Sequence, residues 1–157
     1  KPDYTDLPLV RERERFRELL VGKLRLRYDA PRWYRDPSDA EPGVFNLLRV
    51  DQKAEAQFIA ELQPIEGSLE ASVITTAREG AESVTVRKRG QKLRGTVELT
   101  ELEFAARVAN ITYVNHGYFY NGPEGAVQLR SWARDADYES MNGDIIELLD
   151  GLAVGAK

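Results

Sequence analysis

His116 is the chain's single histidine, and therefore the one side chain whose ordinary titration range lies close to neutrality. The chemistry open to it is general-base catalysis, with a carboxylate such as Glu124 or Asp144 orienting the ring. The competing reading is a turn histidine bonded to backbone, because it stands between Asn115 and Gly117. No nucleophile or oxyanion pattern accompanies it, and GxSxG, P-loop, dinucleotide and HExxH spellings are missing from the text. No catalytic residue is assigned on this basis, and no Asp/Glu pair is selected as a dyad.

A second kind of chemistry is recognition by aromatic rings. Tyr113, Tyr118, Tyr120 and Trp132 surround His116 in sequence, and Trp33 stands apart. Tyr and Trp join a large apolar area to a polar tip, so such a set suits a groove that stacks on a ligand or partner. Packing inside a sheet is the plainer use of the same residues. The candidate binding set is His116, Tyr118, Tyr120, Arg130 and Trp132, with Arg130 and Trp132 at its rim.

These residues need a scaffold, and turn chemistry supplies one. Asn121, Gly122, Pro123, Glu124 and Gly125 separate two runs rich in aromatic and β-branched residues, which predicts a β-hairpin over 111–134. Side chains alternate along a strand. Tyr118 and Tyr120 then share one face and Phe119 takes the other, while Val127 and Leu129 oppose Ala126, Gln128, Arg130 and Trp132.

Composition bounds the rest. A chain of 157 residues with 42% hydrophobic and 31% charged content is an ordinary globular domain. Residues 1–9 read as an extended arm and 10–157 as a single domain. A formal net charge of -4 disfavours nucleic acid, since phosphate neutralisation needs an excess of cations. With no cysteine and one histidine, thiolate chemistry, disulfides and Cys- or multi-His metal sites are excluded; no cofactor or metal is expected. No apolar run approaches the roughly 20 residues of a membrane span. Lys1 stands where Met would open a chain, which suggests a trimmed chain or a processed product; a signal peptide or lipid-bearing Cys, if removed, leaves no trace in the text.

Along the chain, Arg, Glu and Leu over 10–20 favour a helix stopped by Gly22, though the alternating RERERFR also suits an exposed strand. KLRLRY over 23–28 alternates as a half-buried strand; Pro31 ends it and Trp33 folds back as a core plug. The loop 36–43 carries Asp36, Asp39 and Glu41 without the ligand order of a calcium loop. Strands are expected over 44–50 and 54–63. A helix capped by Ser68 carries Leu69, Val73, Ile74 and Ala77 on one face and ends at Gly80. Residues 83–89 and 92–99 suggest a hairpin turning at Gly90; its basic run RKRGQKLR is a solvated tip or, more sharply, a site for an anionic partner such as membrane headgroups. In residues 100–110 Thr100 to Glu103 spell a capping box that could open a short helix, whereas Leu102, Phe104, Ala106 and Val108 alternate; the strand is preferred, with a bend or bulge near Thr100 and Glu101. A final helix, capped by Asp135 or Asp137, buries Tyr138, Met141, Ile145, Leu148, Leu149 and Leu152 and stops at Gly151; 154–157 are a tail.

YDAPRWY at the end of the first strand, the mid-chain helix, the antiparallel hairpin series and the closing DIIELLDGL together resemble the PsbP-like superfamily over roughly residues 22–153. The resemblance implies an α/β/α sandwich, an antiparallel sheet flanked by helices, in a small noncatalytic accessory protein that is often exported. The expectation is therefore an α+β binding domain of the bacterial cell envelope or periplasm, a cytoplasmic home staying open. Its partner is a protein or small ligand met at the aromatic hairpin. Membrane-surface attachment through a removed lipidated N-terminus and a homodimer formed at the hairpin edge are further expectations. The alternative is a small hydrolase-like enzyme using His116 and a carboxylate in a cleft.

Overall fold

Alternation along 125–134 places Val127, Leu129, Ser131 and Ala133 on one side, where all four are buried, and this side defines the principal core. The computed structural model describes residues 15–38 and 41–155. A seven-stranded antiparallel sheet runs in the order β3 (Trp33–Arg35), β4 (Val44–Arg49), β5 (Ala54–Glu61), β9 (Gly125–Arg134), β8 (Ile111–Gly122), β7 (Val97–Val108), β6 (Ser83–Arg94). A three-stranded sheet, β1 (Phe16–Val21), β2 (Leu24–Asp29) and β10 (Leu152–Val154), lies beside it. Two helices complete the described elements, α1 (Leu69–Gly80) and α2 (Asp135–Leu149).

The two faces of the large sheet carry different cores. On one, Phe58, Val114, Tyr118, Val127 and Leu129 pack with Ile145, Leu148 and Leu149 of α2 and with Leu24, Leu26 and Leu152 of the small sheet. On the other, Leu102, Phe104, Ala106 and Phe119 receive Ile74 of α1. A fully buried side chain of this size contributes about 1.5–3 kcal/mol, so the first cluster dominates stability. The layers are α/β/α, as the resemblance implied.

Helix α1 forms because Ser68 Oγ accepts from the Ala71 amide at 3.2 Å, and Glu70 meets the positive helix end. Helix α2 begins after Arg134 with no side-chain cap. Asp135 and Asp137 occupy its first turn and act through the helix dipole, where capping was expected of one of them.

Several expectations are corrected. Residues 16–21 are strand β1, paired to β2 across a turn in which Gly22 has φ 58°. A helix over 10–20 would forfeit that ladder; 10–14 lie outside the described residues. Gly90 does not turn the chain: it pairs with Glu101 inside β6, and the reversal falls at Gly95, φ 63°. The register irregularity lies between Val86 and Lys88 on β6, across the ladder from Phe104 and Glu103, not at Thr100. Residues 152–154 are a strand on β2, which takes Leu152 out of the helix stripe and Val154 out of the tail expected over 154–157; residues 156–157 lie outside the described residues. In the loop after β3, Asp36 Oδ1 takes the Ser38 amide at 2.9 Å, while Asp39 lies outside the described residues.

The 111–134 hairpin has no free edge. Its strands β8 and β9 are both internal, and the sheet edges are β3 and β6. A homodimer through the hairpin edge would have to displace β5 or β7, so that expectation is set aside.

Candidate functional site

His116 and the aromatic residues separate onto opposite faces of the sheet. On β8, His116 and Tyr118 point under α2, and both are buried, at 4% and 0% exposure. His116 Nε2 lies 2.6 Å from Glu101 Oε2 and Nδ1 lies 3.1 Å from Tyr138 Oη. Tyr138 Oη in turn is 3.2 Å from Glu103 Oε1, and Lys88 Nζ reaches Glu101 Oε1 at 3.2 Å. Register explains the partners: β7 sets Glu103 opposite His116 and Glu101 opposite Tyr118. Burial opposes ionisation of Glu101, but hydrogen bonds from His116 and Lys88 outweigh it and hold the carboxyl below its ordinary range.

The carboxylates expected beside His116 are elsewhere. Glu124 accepts the hydroxyl of Tyr120 at the hairpin turn. Asp144 accepts Arg32 Nη1 at 2.9 Å and Arg49 Nη2 at 2.6 Å. The principal clefts do not include His116 among their lining residues. The ring is thus a member of a buried polar chain, enclosed among the described residues.

Tyr118 and Tyr120 also depart from the expected surface. Tyr118 Oη accepts from Lys92 Nζ at 2.6 Å and donates to Asp150 Oδ1 at 3.0 Å; burial and Asp150 push its hydroxyl above the ordinary tyrosine range. Tyr120 is half-buried, and burial together with the Glu124 carboxylate pushes it up to about 12. Both serve as packing groups with satisfied tips.

Arg130 and Trp132 lie on the other face. Helix α1 covers the β6–β7–β8 half of that face, and among the described residues no helix lies above the β9 and β5 half. Between them is a cleft of about 680 Å³, a size that takes a small-molecule ligand. Its floor holds Arg130, Gln57, Gln128 and Asn115, and Val73 and Ala77 of α1 and Phe104 form an apolar wall. Arg130 Nη1 donates to Asn115 Oδ1 at 2.7 Å. The guanidinium stacks on Trp132, 4.7 Å from the ring centre, and Trp132 Nε1 donates to Glu55 Oε2 at 3.2 Å. Desolvation lowers the Arg130 pKa, though a guanidinium keeps its proton throughout.

Of the five candidate residues, then, two line the cleft and three are held on the opposite face or at the turn. Gln57, Asn115, Gln128 and the α1 wall were missed. Alternation had already grouped Gln128 with Arg130 and Trp132; nothing local could place α1 beside them. Among the described residues no group of His, Asp and Glu is arranged to hold a metal ion, and no helix is long and apolar enough to cross a membrane.

The basic run of β6 proves to be compensated. Arg87 reaches Asp135 at 3.5 Å, Lys88 Glu101 at 3.2 Å, Arg89 Glu70 at 3.1 Å and Arg94 Asp150 at 2.9 Å. Neutralised in this way, the edge strand offers less attraction to an anionic surface than its spelling suggests.

Sheet, helices and cleft together define an α+β domain of α/β/α layering. The chain adopts the PsbP-like fold, as solved structures show. The cyanobacterial PsbP (CyanoP) of Synechocystis superposes with a TM-score of 0.65 at 11% identity, over 88% of this chain and 92% of that one. The Ran-binding protein Mog1p of Saccharomyces cerevisiae gives 0.61 at 8% identity, over 88% of this chain and 95% of that one. A Pseudomonas aeruginosa protein of unknown function, described as a putative regulator, gives 0.55 at 9% identity, over 90% and 99%. At such identities the likeness establishes the fold and leaves the activity open. No protein-family model matches the sequence, and no curated protein matches it.

Proposed function

We propose that this domain is a noncatalytic binding module that receives its ligand or a protein partner's side chain in the cleft between α1 and the β9 side of the sheet. The observation that carries this is the segregation of roles. The one histidine is sealed at 4% exposure with its ring nitrogens engaged, whereas Arg130 and Trp132 face a cleft of about 680 Å³. A general base must reach the proton it removes, and His116 cannot do so without opening the core. A concave site with an apolar wall and convergent polar groups suits recognition. The shared fold with Mog1p, itself a Ran-binding protein, agrees with a binding role. An envelope or periplasmic location belongs to the same proposal and is tested by fractionating cells that express the full-length gene.

The function is tested by amide chemical-shift mapping against a fragment set containing aliphatic, aromatic, charged and neutral compounds. Hits should converge on α1, β9 and β5 around Arg130 and Trp132. Shifts confined to other surfaces, or ester hydrolysis that disappears in His116→Ala, would overturn the reading in favour of another interface or of an enzyme.

A further inference from the structure

We infer that the cleft is built for a small monocarboxylate with an apolar body, its carboxylate held by Arg130. This rests on the cleft being the binding site and adds the chemistry of its occupant.

The starting point is a charge without a counter-charge. Among the described residues Arg130 makes no ion pair; its polar partner is the neutral side-chain oxygen of Asn115, at 2.7 Å. Its Nε is fully buried and has no acceptor among the described residues. Burial of an unpaired guanidinium is costly, and it cannot escape by losing its proton. Other arginines here have a carboxylate: Arg49 is held by Asp144 and Asp51, Arg94 by Asp150 and Arg89 by Glu70, and Arg25, whose Nε is likewise buried without an acceptor, still lies 3.8 Å from Glu18. Arg130 keeps most of its N–H donors for something that enters the cleft.

The scaffold fixes those donors in place. Gly117 stands opposite Arg130 on β8, and a Cβ there would meet the Phe119 ring at 3.1 Å, so no side chain competes for the floor. Trp132 stacks under the guanidinium and is itself anchored to Glu55, which sets the plane of the fork. Gln57, whose Nε2 already donates to Asn46 Oδ1 at 3.0 Å, lies directly across the ladder from Arg130, and Gln128 adds an amide to the cleft lining. A planar fork with an amide beside it matches the two oxygens of a carboxylate.

Charge count separates carboxylate from phosphate. Among the described residues Arg130 is the one cation lining the cleft, and Glu55 lines it as well. A dianionic phosphate would meet one positive and one negative group; a monoanion is the better match. The wall of Val73, Ala77, Phe104 and Ala106 then requires an aliphatic or aromatic body on the ligand.

The test uses the whole chain and matched pairs: hexanoate against hexanamide, phenylacetate against phenylacetamide, with inorganic phosphate and phenyl phosphate alongside. Binding is read from the Arg130 Nε–H and Trp132 Nε1–H resonances and the amides of α1. The acids should bind about 10-fold or more tighter than their amides, the scale set by a charged hydrogen bond. Arg130→Gln should abolish that preference while leaving the weak, apolar part of binding, and Arg130→Lys should keep part of it. Equal binding of acid and amide would overturn the carboxylate assignment while leaving the cleft a binding site. Tighter binding of phenyl phosphate than of phenylacetate would overturn the choice of carboxylate over phosphate. If acids, amides and phosphates all leave the cleft resonances unmoved, the anion site is refuted; cleft hits from the neutral fragments would still sustain the wider reading, and their absence would end it too.

Discussion

His116 Nε2 stands 2.6 Å from Glu101 Oε2, and the pair, neighbours on β8 and β7 though 15 positions apart, is shut beneath α2 with Tyr138 closing its other side. Removing one member of such a chain leaves a buried polar group without its partner, which is dearer than the bond itself.

Stability should therefore depend on pH through Glu101. Its carboxyl is held below the ordinary glutamate range, so its contribution is fully present above the unfolded value, about 4.3, and is lost as pH falls through the depressed folded value. Glu101→Gln should cost about 1–3 kcal/mol at pH 7 and flatten the acid limb of a stability profile. Urea midpoints at pH 7 and in the acid range measure this; an unchanged acid slope would contradict it. Glu70 and Asp51, also lowered, maintain the remaining slope.

Neighbouring positions on β9 should respond in opposite ways. Leu129 is fully buried in the principal core, and Leu129→Ala is expected to cost about 2–5 kcal/mol. Trp132 lies half-buried on the cleft face, and Trp132→Ala should cost only about 1 kcal/mol while weakening cleft ligands. Paired denaturation and titration of both variants check the contrast. A severe stability loss in Trp132→Ala would place that ring in the structural core.

Gly151 lets the chain leave α2 and close against β2. A Cβ there would sit 2.0 Å from the Arg27 carbonyl oxygen, and the Arg27 amide donates to the Gly151 carbonyl at 3.0 Å. Gly151→Ala should destabilise by about 1–3 kcal/mol through forced backbone displacement and loosen β10, seen as faster amide exchange over 152–154. A neutral substitution would show that this junction yields freely.

The compensated β6 edge predicts weak attraction to anionic membranes. In flotation with vesicles containing about 30% phosphatidylserine near 0.15 M salt, the protein should stay unbound. Charge-neutralising Glu70→Gln with Asp150→Asn frees Arg89 and Arg94 from their partners and should increase binding at low salt. Strong flotation of the unaltered protein would return the basic run to candidacy as an interface.

How much of this was readable beforehand differs by element. Val127 and Leu129 against Arg130 and Trp132, Leu24 and Leu26 in β2, Phe58 in β5, and the Ser68-capped helix all follow from consecutive side chains. So does the buried stripe from Tyr138 to Leu149. Alternation and helical spacing are local properties, and burial on a given side is their direct consequence. The same spellings misled where two local structures suit one composition. Arg, Glu and Leu in 16–20 serve a helix or an exposed strand; only the ladder to β2 decides, because its hydrogen bonds come from residues beyond the segment. Gly90 could turn a chain, yet β7 supplied it with a partner at Glu101. His116 and its acids show the limit most plainly: the text identified the one histidine, but Glu101 became its partner through the β7–β8 register, and Arg130 gained a cleft through the seat of α1 on half a sheet face. Where one local structure suited the composition, the element and the sidedness of its residues belong to the sequence alone; where two did, and in every case which groups meet, long-range pairing decided, because free energy there depends on contacts that no local window contains.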